Sequence, residues 1–168
     1  MAVKFVKWLL LGSVILVAAL FLWQHFRTSD EQRIRRRFDD LAGYVSKGAG
    51  EGNIQTTLKG QGLGMLFADS CTLAIAAQSL AGTYTPEEIV SHAVRARAQF
   101  DVVDLDFHDI TVRFPSDREA QVTCTVRFSA RRRTGERVGE VRELKCRLKK
   151  RQDTWLFSRF EVVEVLRK

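Results

Sequence analysis

FHDITVRF (107–114), EAQVTCTVRFSARRR (119–133), RVGEVRELKCRLKK (137–150) and TWLFSRFEVVEVL (154–166) are the segments that decide the fold of this chain. Apolar and polar residues alternate through them, the period of a strand with one face buried and the other in water. They predict a meander of three or four antiparallel strands between Asp106 and Leu166.

In the first segment Ile110, Val112 and Phe114 mark a core face. Upstream, Val103, Leu105 and Phe107 alternate in the opposite phase, so the strand must change phase near His108 through a bulge or bend. Asp104, Asp106 and His108 form a D-x-D-x-H whose meaning depends on that change. In the phase of Ile110 all three would enter the core as an acid/base or metal cluster; with a bulge the acids face water, which is the expectation. A second phase break, from Trp155 and Phe157 to Phe160 and Val162, predicts a second bulge.

A turn at Thr134-Gly135-Glu136 places Cys124 directly opposite Cys146, on a face shared with Val122, Val126, Leu144 and Leu148. The pair reads either as two buried thiols or, in an oxidising compartment, as a cross-strand disulfide. The chain has three cysteines, Cys71 being the other, with no C-x-x-C and no Cys/His cluster, so no metal site is expected. The opposite face is basic: Arg127, Arg131 and Arg133 alternate on one strand and Lys145, Arg147, Lys149 and Arg151 on its partner. Between Arg127 and Arg151 stand eleven basic residues against three glutamates. Interleaved aromatics for base stacking are missing, which disfavours nucleic acid. A solvated face is the ordinary reading of such a ridge, and contact with anionic lipid stays open beside it.

Helices precede the meander. Ser29-Asp30 offers an N-cap for a segment in which Ile34, Phe38, Leu41, Ala42 and Val45 recur at helical spacing, ending at the glycines of GAGEGN (48–53). Arg35-Arg36-Arg37 form a basic collar on it. Asn53 would cap a short helix, IQTTLK, which Gly60, Gly62 and Gly64 are expected to end in a loop. LFADSCTLAIA (66–76) then reads as a strand or a buried helical turn. The G-x-G-x-G spacing and the want of a preceding strand exclude a dinucleotide fingerprint. Thr85-Pro86-Glu87-Glu88 is a capping box opening a helix to about Phe100. Arg97 falls within that helix's apolar stripe, either snorkelling at the helix end or meeting an acid in a cavity. His92 lies at the edge of the stripe.

At the other end of the chain, Trp8 to Phe26 contains no Asp, Glu, Lys or Arg. As a helix it would rise about 28 Å, close to the hydrocarbon thickness of a bilayer. Lys4 and Lys7 precede it, as in a signal peptide, but no A-x-A-like cleavage site follows. A retained transmembrane anchor is therefore expected over residues 1–28, with one domain over 29–168. The arginines after the span argue for a cytoplasmic domain and the short signal-like N-terminus for export; an inner-membrane protein with its domain outside the cytoplasm is the reading taken. The balance of 45% hydrophobic and 28% charged residues is that of a globular protein.

The order of elements, with IRRRFDDLAGYVSKG (34–48), LDFHDITVRFPSDREAQVTCTVRF (105–128) and DTWLFSRFEVVEVL (153–166), resembles the nuclear transport factor 2-like superfamily. That resemblance implies an α+β fold: a cone of helices packed on a curved antiparallel sheet, here on an N-terminal transmembrane helix. It also implies a choice of roles, since the superfamily holds a ketosteroid isomerase, scytalone dehydratase and polyketide cyclases beside non-catalytic binding domains. The isomerase's Tyr, acid and Asp and the dehydratase's His/Asp pair find no matching motif. The resemblance places the cavity mouth near Asp69, His92, Arg97 and His108. A non-catalytic, membrane-tethered binding or assembly module of the cell envelope is thus set above the alternative, a small-molecule isomerase or dehydratase. No cofactor is called for, and a homodimer or an envelope protein is the expected partner.

Overall fold

A computed structural model describes residues 29–75 and 80–163. The chain divides into units 1–34 and 35–168, a boundary that falls inside the first helix. Among the described residues no helix is long and apolar enough to cross a membrane; the expected anchor, Trp8 to Phe26, lies outside them.

Helix α1 spans 29–45, α2 Asn53–Gly64 and α3 Pro86–Ala98; the strands are β1 Phe67–Ile75, β2 Leu80–Tyr84, β3 Phe100–Ser116, β4 Glu119–Arg132, β5 Arg137–Arg151 and β6 Thr154–Val163. They form one sheet in the order β2-β1-β6-β5-β4-β3. The four-stranded meander is as expected, but the sheet is mixed: β1 pairs parallel to β6 and antiparallel to β2. The short β2, LAGTY, carries too little alternation to announce itself.

Both phase breaks are bulges. The β3–β4 register slips between His108 and Thr111, where Asp109 takes a φ of 53°. Val103 is buried and Phe107 meets Phe38 before the slip; after it Phe114 packs on Trp155. The bulge frees the Ile110 carbonyl from regular pairing, and Arg35 Nη2 donates to it at 2.8 Å. That contact engages one member of the collar. In β6 the slip falls between Arg147 and Leu148 of its partner strand, with Ser158 as the extra residue, so Trp155, Phe157 and Phe160 all reach the core.

The meander wraps an aromatic cluster. Phe157, fully buried, has its ring 5.1 Å from Phe38, 5.9 Å from Phe67 and 4.9 Å from Phe160. Edge-to-face and tilted arrangements such as these set the positive ring edge against a negative face.

Helix α2 corrects the expectation of a short helix broken by glycines. It continues through Gly60 and Gly62 to Gly64 because the missing side chains are used in packing. A Cβ at Gly60 would lie 3.3 Å from Val90 Cγ1, and one at Gly62 would run into the Tyr44 ring. Asn53 is its first helical residue rather than its cap; Gly52 holds that place without a side-chain bond. Helix α3 opens on the expected capping box, Glu88 N–H donating to Thr85 Oγ1 and Thr85 N–H to Glu88 Oε2.

Replacing Phe157 by Ala should lower unfolding free energy by roughly 3–5 kcal/mol in denaturant titration. A loss below about 1 kcal/mol would show that the cluster is not the centre of the core.

Candidate active site

The polar centre of the domain lies where the end of α1, the GAGEGN loop, the start of α2 and the end of α3 meet. Gly50, at φ 76°, takes the left-handed turn that a side chain would resist, and Glu51 follows it inward. The Glu51 side chain is 2% exposed and that of Arg97 6%. Arg97 Nη2 donates to Glu51 Oε1 and, at 3.3 Å, to the Ser46 carbonyl. Lys59 Nζ donates to Glu51 Oε2 at 2.8 Å and to the Ser46 carbonyl at 2.7 Å. Thr56 Oγ1 donates to Glu51 Oε1 at 3.3 Å. Lys47 Nζ caps the end of α3 through the carbonyls of Arg97 and Phe100.

Burial opposes charge on Glu51, but hydrogen bonds from Lys59 and Arg97, and then their positive charges, outweigh it and hold the carboxyl below its ordinary value of 4.5. Arg97 Nε is a buried donor with no acceptor. Arg97 therefore takes the second of its two expected roles, a buried cation on an acid. That acid was invisible in sequence, because a glutamate in a glycine-rich loop has no periodicity to give its direction.

Beside this cluster an open groove of about 710 Å³ runs between α2 and α3. Thr56, Gly60, Gly64, Val90 and Val94 line it, with Pro86 and Glu87 at the far end. The glycines form a floor without side chains. Thr56 belongs to both groove and cluster, and Val94 lies one turn before Arg97.

The other expected site residues are not brought together. Asp69 is exposed on β1 and accepts from Arg151 Nη1 at 2.9 Å, a surface ion pair. His92 is exposed on α3, its ring 5.5 Å from Tyr84. His108 and Asp104 are exposed on the outer face of the sheet; Asp106, half-buried, stands opposite Arg127. No group of His, Cys, Asp and Glu suited to a metal occurs among the described residues.

Cys124 and Cys146 share the core face, but the register is two residues from that expected: Cys124 opposes Leu144, and Val122 opposes Cys146. The hairpin closes with Arg131 paired to Arg137, centring the turn on Thr134 rather than Gly135. Both cysteines and Cys71 are free and buried. Burial pushes the Cys71 and Cys124 thiols up to about 12; Cys146 is raised by burial and by its two thiol neighbours. Cys124 and Cys146, the possible disulfide, are two free buried thiols in this structure. The basic residues Arg127, Arg131, Lys145, Arg147 and Lys149 are exposed as expected, whereas Arg133 lies in the turn beyond β4.

No family model and no curated protein matches the chain. Solved structures do. Kfla4162 of Kribbella flavida superposes with a TM-score of 0.69 at 12% identity, over 82% of this chain and 91% of that one. The LinA type 3 hexachlorocyclohexane dehydrochlorinase of Novosphingobium barchaimii gives 0.65 at 12%, over 82% and 87%. A candidate dehydratase of the NTF2-like family from Streptomyces avermitilis gives 0.64 at 12%, over 83% and 99%. The chain has the nuclear transport factor 2-like fold. The ranking of a non-catalytic module above an enzyme is corrected by these neighbours, one named a dehydrochlorinase and one a candidate dehydratase.

Glu51→Gln should cost roughly 3–5 kcal/mol by stranding Arg97. Because the folded carboxyl is held below 4.5, its contribution is present above that pH and is lost as pH falls through the lowered value. The gap in melting temperature between wild type and Glu51→Gln should therefore be widest near neutrality and close in acid; a gap independent of pH would contradict the assignment.

Proposed function

We propose that this chain is a small-molecule enzyme of the lyase or isomerase type, acting in the groove between α2 and α3 with Glu51 as its acid/base group. The observation that carries this is the juxtaposition of apolar groove and ionised carboxylate, joined through Thr56. Apolar walls that surround a small ligand while a few polar groups fix its orientation are the usual build of such a site. The substrate class is a small, mostly apolar molecule bearing an electronegative group.

Glu51 is kept ionised and reaches the groove through Thr56, whose hydroxyl donates to it, but the cations that keep it ionised also weaken it as a base. It suits a C–H already acidified by a neighbouring carbonyl or leaving group. Loss of that proton and departure of the leaving group with its bonding pair would give an alkene, the reaction type named for two of the fold neighbours. Arg97 Nε, a buried donor without an acceptor, is a candidate to receive developing negative charge. The solvent positions of Asp104 and His108 remove the D-x-D-x-H from consideration as the base.

The test is product analysis of the full chain with a panel of chlorinated cyclohexanes and β-hydroxy ketones. Turnover should fall by about 10²-fold or more in Glu51→Gln. Thr56→Val, which leaves the ion pairs in place, should also reduce turnover without a comparable loss of melting temperature. Turnover surviving in Glu51→Gln that is still folded would rule out the assignment.

In the same proposal residues 1–28 tether the catalytic domain, 29–168, to the inner membrane, outside the cytoplasm. The uncharged apolar run from Trp8 to Phe26 supports it. The chain should stay in the membrane pellet through alkaline carbonate washing and be released by deletion of 1–28; release of the intact chain would refute the tether.

A further inference from the structure

We propose that the solvent-facing side of the sheet carries an anion site, centred on Arg147 and Arg159, that takes a dianionic phosphate group. It lies on the face turned away from the aromatic core and is independent of the groove chemistry.

The β5–β6 register sets Arg147 directly opposite Arg159. Like charges in directly opposed cross-strand positions repel, so the arrangement is unfavourable in the absence of a counterion. The neighbouring bulge makes the juxtaposition: the register slips immediately after this pair, and Ser158 Oγ donates to the Arg147 carbonyl at 3.1 Å, fixing the bulge beneath it. Bulges commonly re-aim a side chain in this way.

The two arginines belong to a concavity of about 250 Å³, lined also by Gln121, Thr123, Lys145 and Glu161. Gln121 stands opposite Arg147 and Thr123 opposite Lys145, which supplies neutral hydrogen-bonding groups at the rim. Three cations and one carboxylate line the concavity, and with Glu143 beside Lys145 one positive charge is left in excess. Glu161 takes up part of Arg159 at 3.4 Å, and Lys145 lies 3.9 Å from Glu143. Arg147 makes no side-chain hydrogen bond or ion pair among the described residues. An exposed guanidinium with all its donors free, beside a second guanidinium, fits the several oxygens of one phosphate. A phosphomonoester carries about −1.5 to −2 at neutral pH, opposite in sign to the excess.

Amide shifts of Gln121 and Thr123 followed by NMR in the full chain test the site. The ligands are inorganic phosphate at constant ionic strength, and phosphatidic acid carried in neutral bicelles. Saturable shifts with inorganic phosphate identify a soluble phosphate as the source; saturation with phosphatidic acid alone identifies a lipid headgroup. In either case the affinity should fall by about tenfold or more in Arg147→Gln. Lys149→Gln, exposed but outside the concavity, should change it by less than about twofold, as expected of a screened neighbouring charge. No saturation with either ligand, or equal losses in the two variants, would overturn the proposal, the latter by reducing it to diffuse charge.

Discussion

A single carboxylate, Glu51, holds together the parts of the domain that lack strong structure of their own. Its two oxygens receive Arg97 from the end of α3, Lys59 from α2 and Thr56 from the first turns of α2. Arg97 and Lys59 both continue to the Ser46 carbonyl, while Ser46 Oγ accepts from the Leu105 amide of β3. The adjoining Lys47 backbone bridges Val103 in both directions. Three helices and one strand are thus fixed to one another within a few residues. A neutral replacement would lose not one contact but the counter-charge that lets Arg97 be buried at all.

The meander was readable from sequence because period-two alternation is interrupted only where the backbone is interrupted. Val103, Leu105 and Phe107 cannot share a face with Ile110, Val112 and Phe114 without an extra residue, and Asp109 is that residue. The same reasoning located the irregularity around Ser158. The Cys124–Cys146 register differs by two residues because the turn TGE fixes a hairpin's existence but not its centre. Phase alone could not tell Arg131–Arg137 closure from its neighbour.

Helix α2 and Glu51 were illegible for a related reason. Gly60, Gly62 and Gly64 are helix breakers when only local propensity is considered, each about 1 kcal/mol worse than Ala. What they accommodate, the methyl groups of Val90 and the ring of Tyr44, comes from other parts of the chain. Arg97 showed its anomaly, a cation in an apolar stripe, but an i-to-j partner more than 40 residues away leaves no local trace.

These observations connect the weakness of α2 to the site it builds. The helix has no side-chain N-cap, no acid in its first turn and no base in its last. Those omissions deprive it of the usual stabilisation from capping and dipole interactions. Its glycines remove side chains from the floor of the groove while permitting the close approach of Val90. A helix that made the groove by giving up its own side chains must be ordered from outside. The Glu51–Lys59 pair at its start and the Tyr44 ring against Gly62 do so. Glu51, buried behind Thr56, is therefore the group that keeps the groove's wall in place. Protonation of Glu51 would remove the counter-charge of Arg97 and Lys59 together.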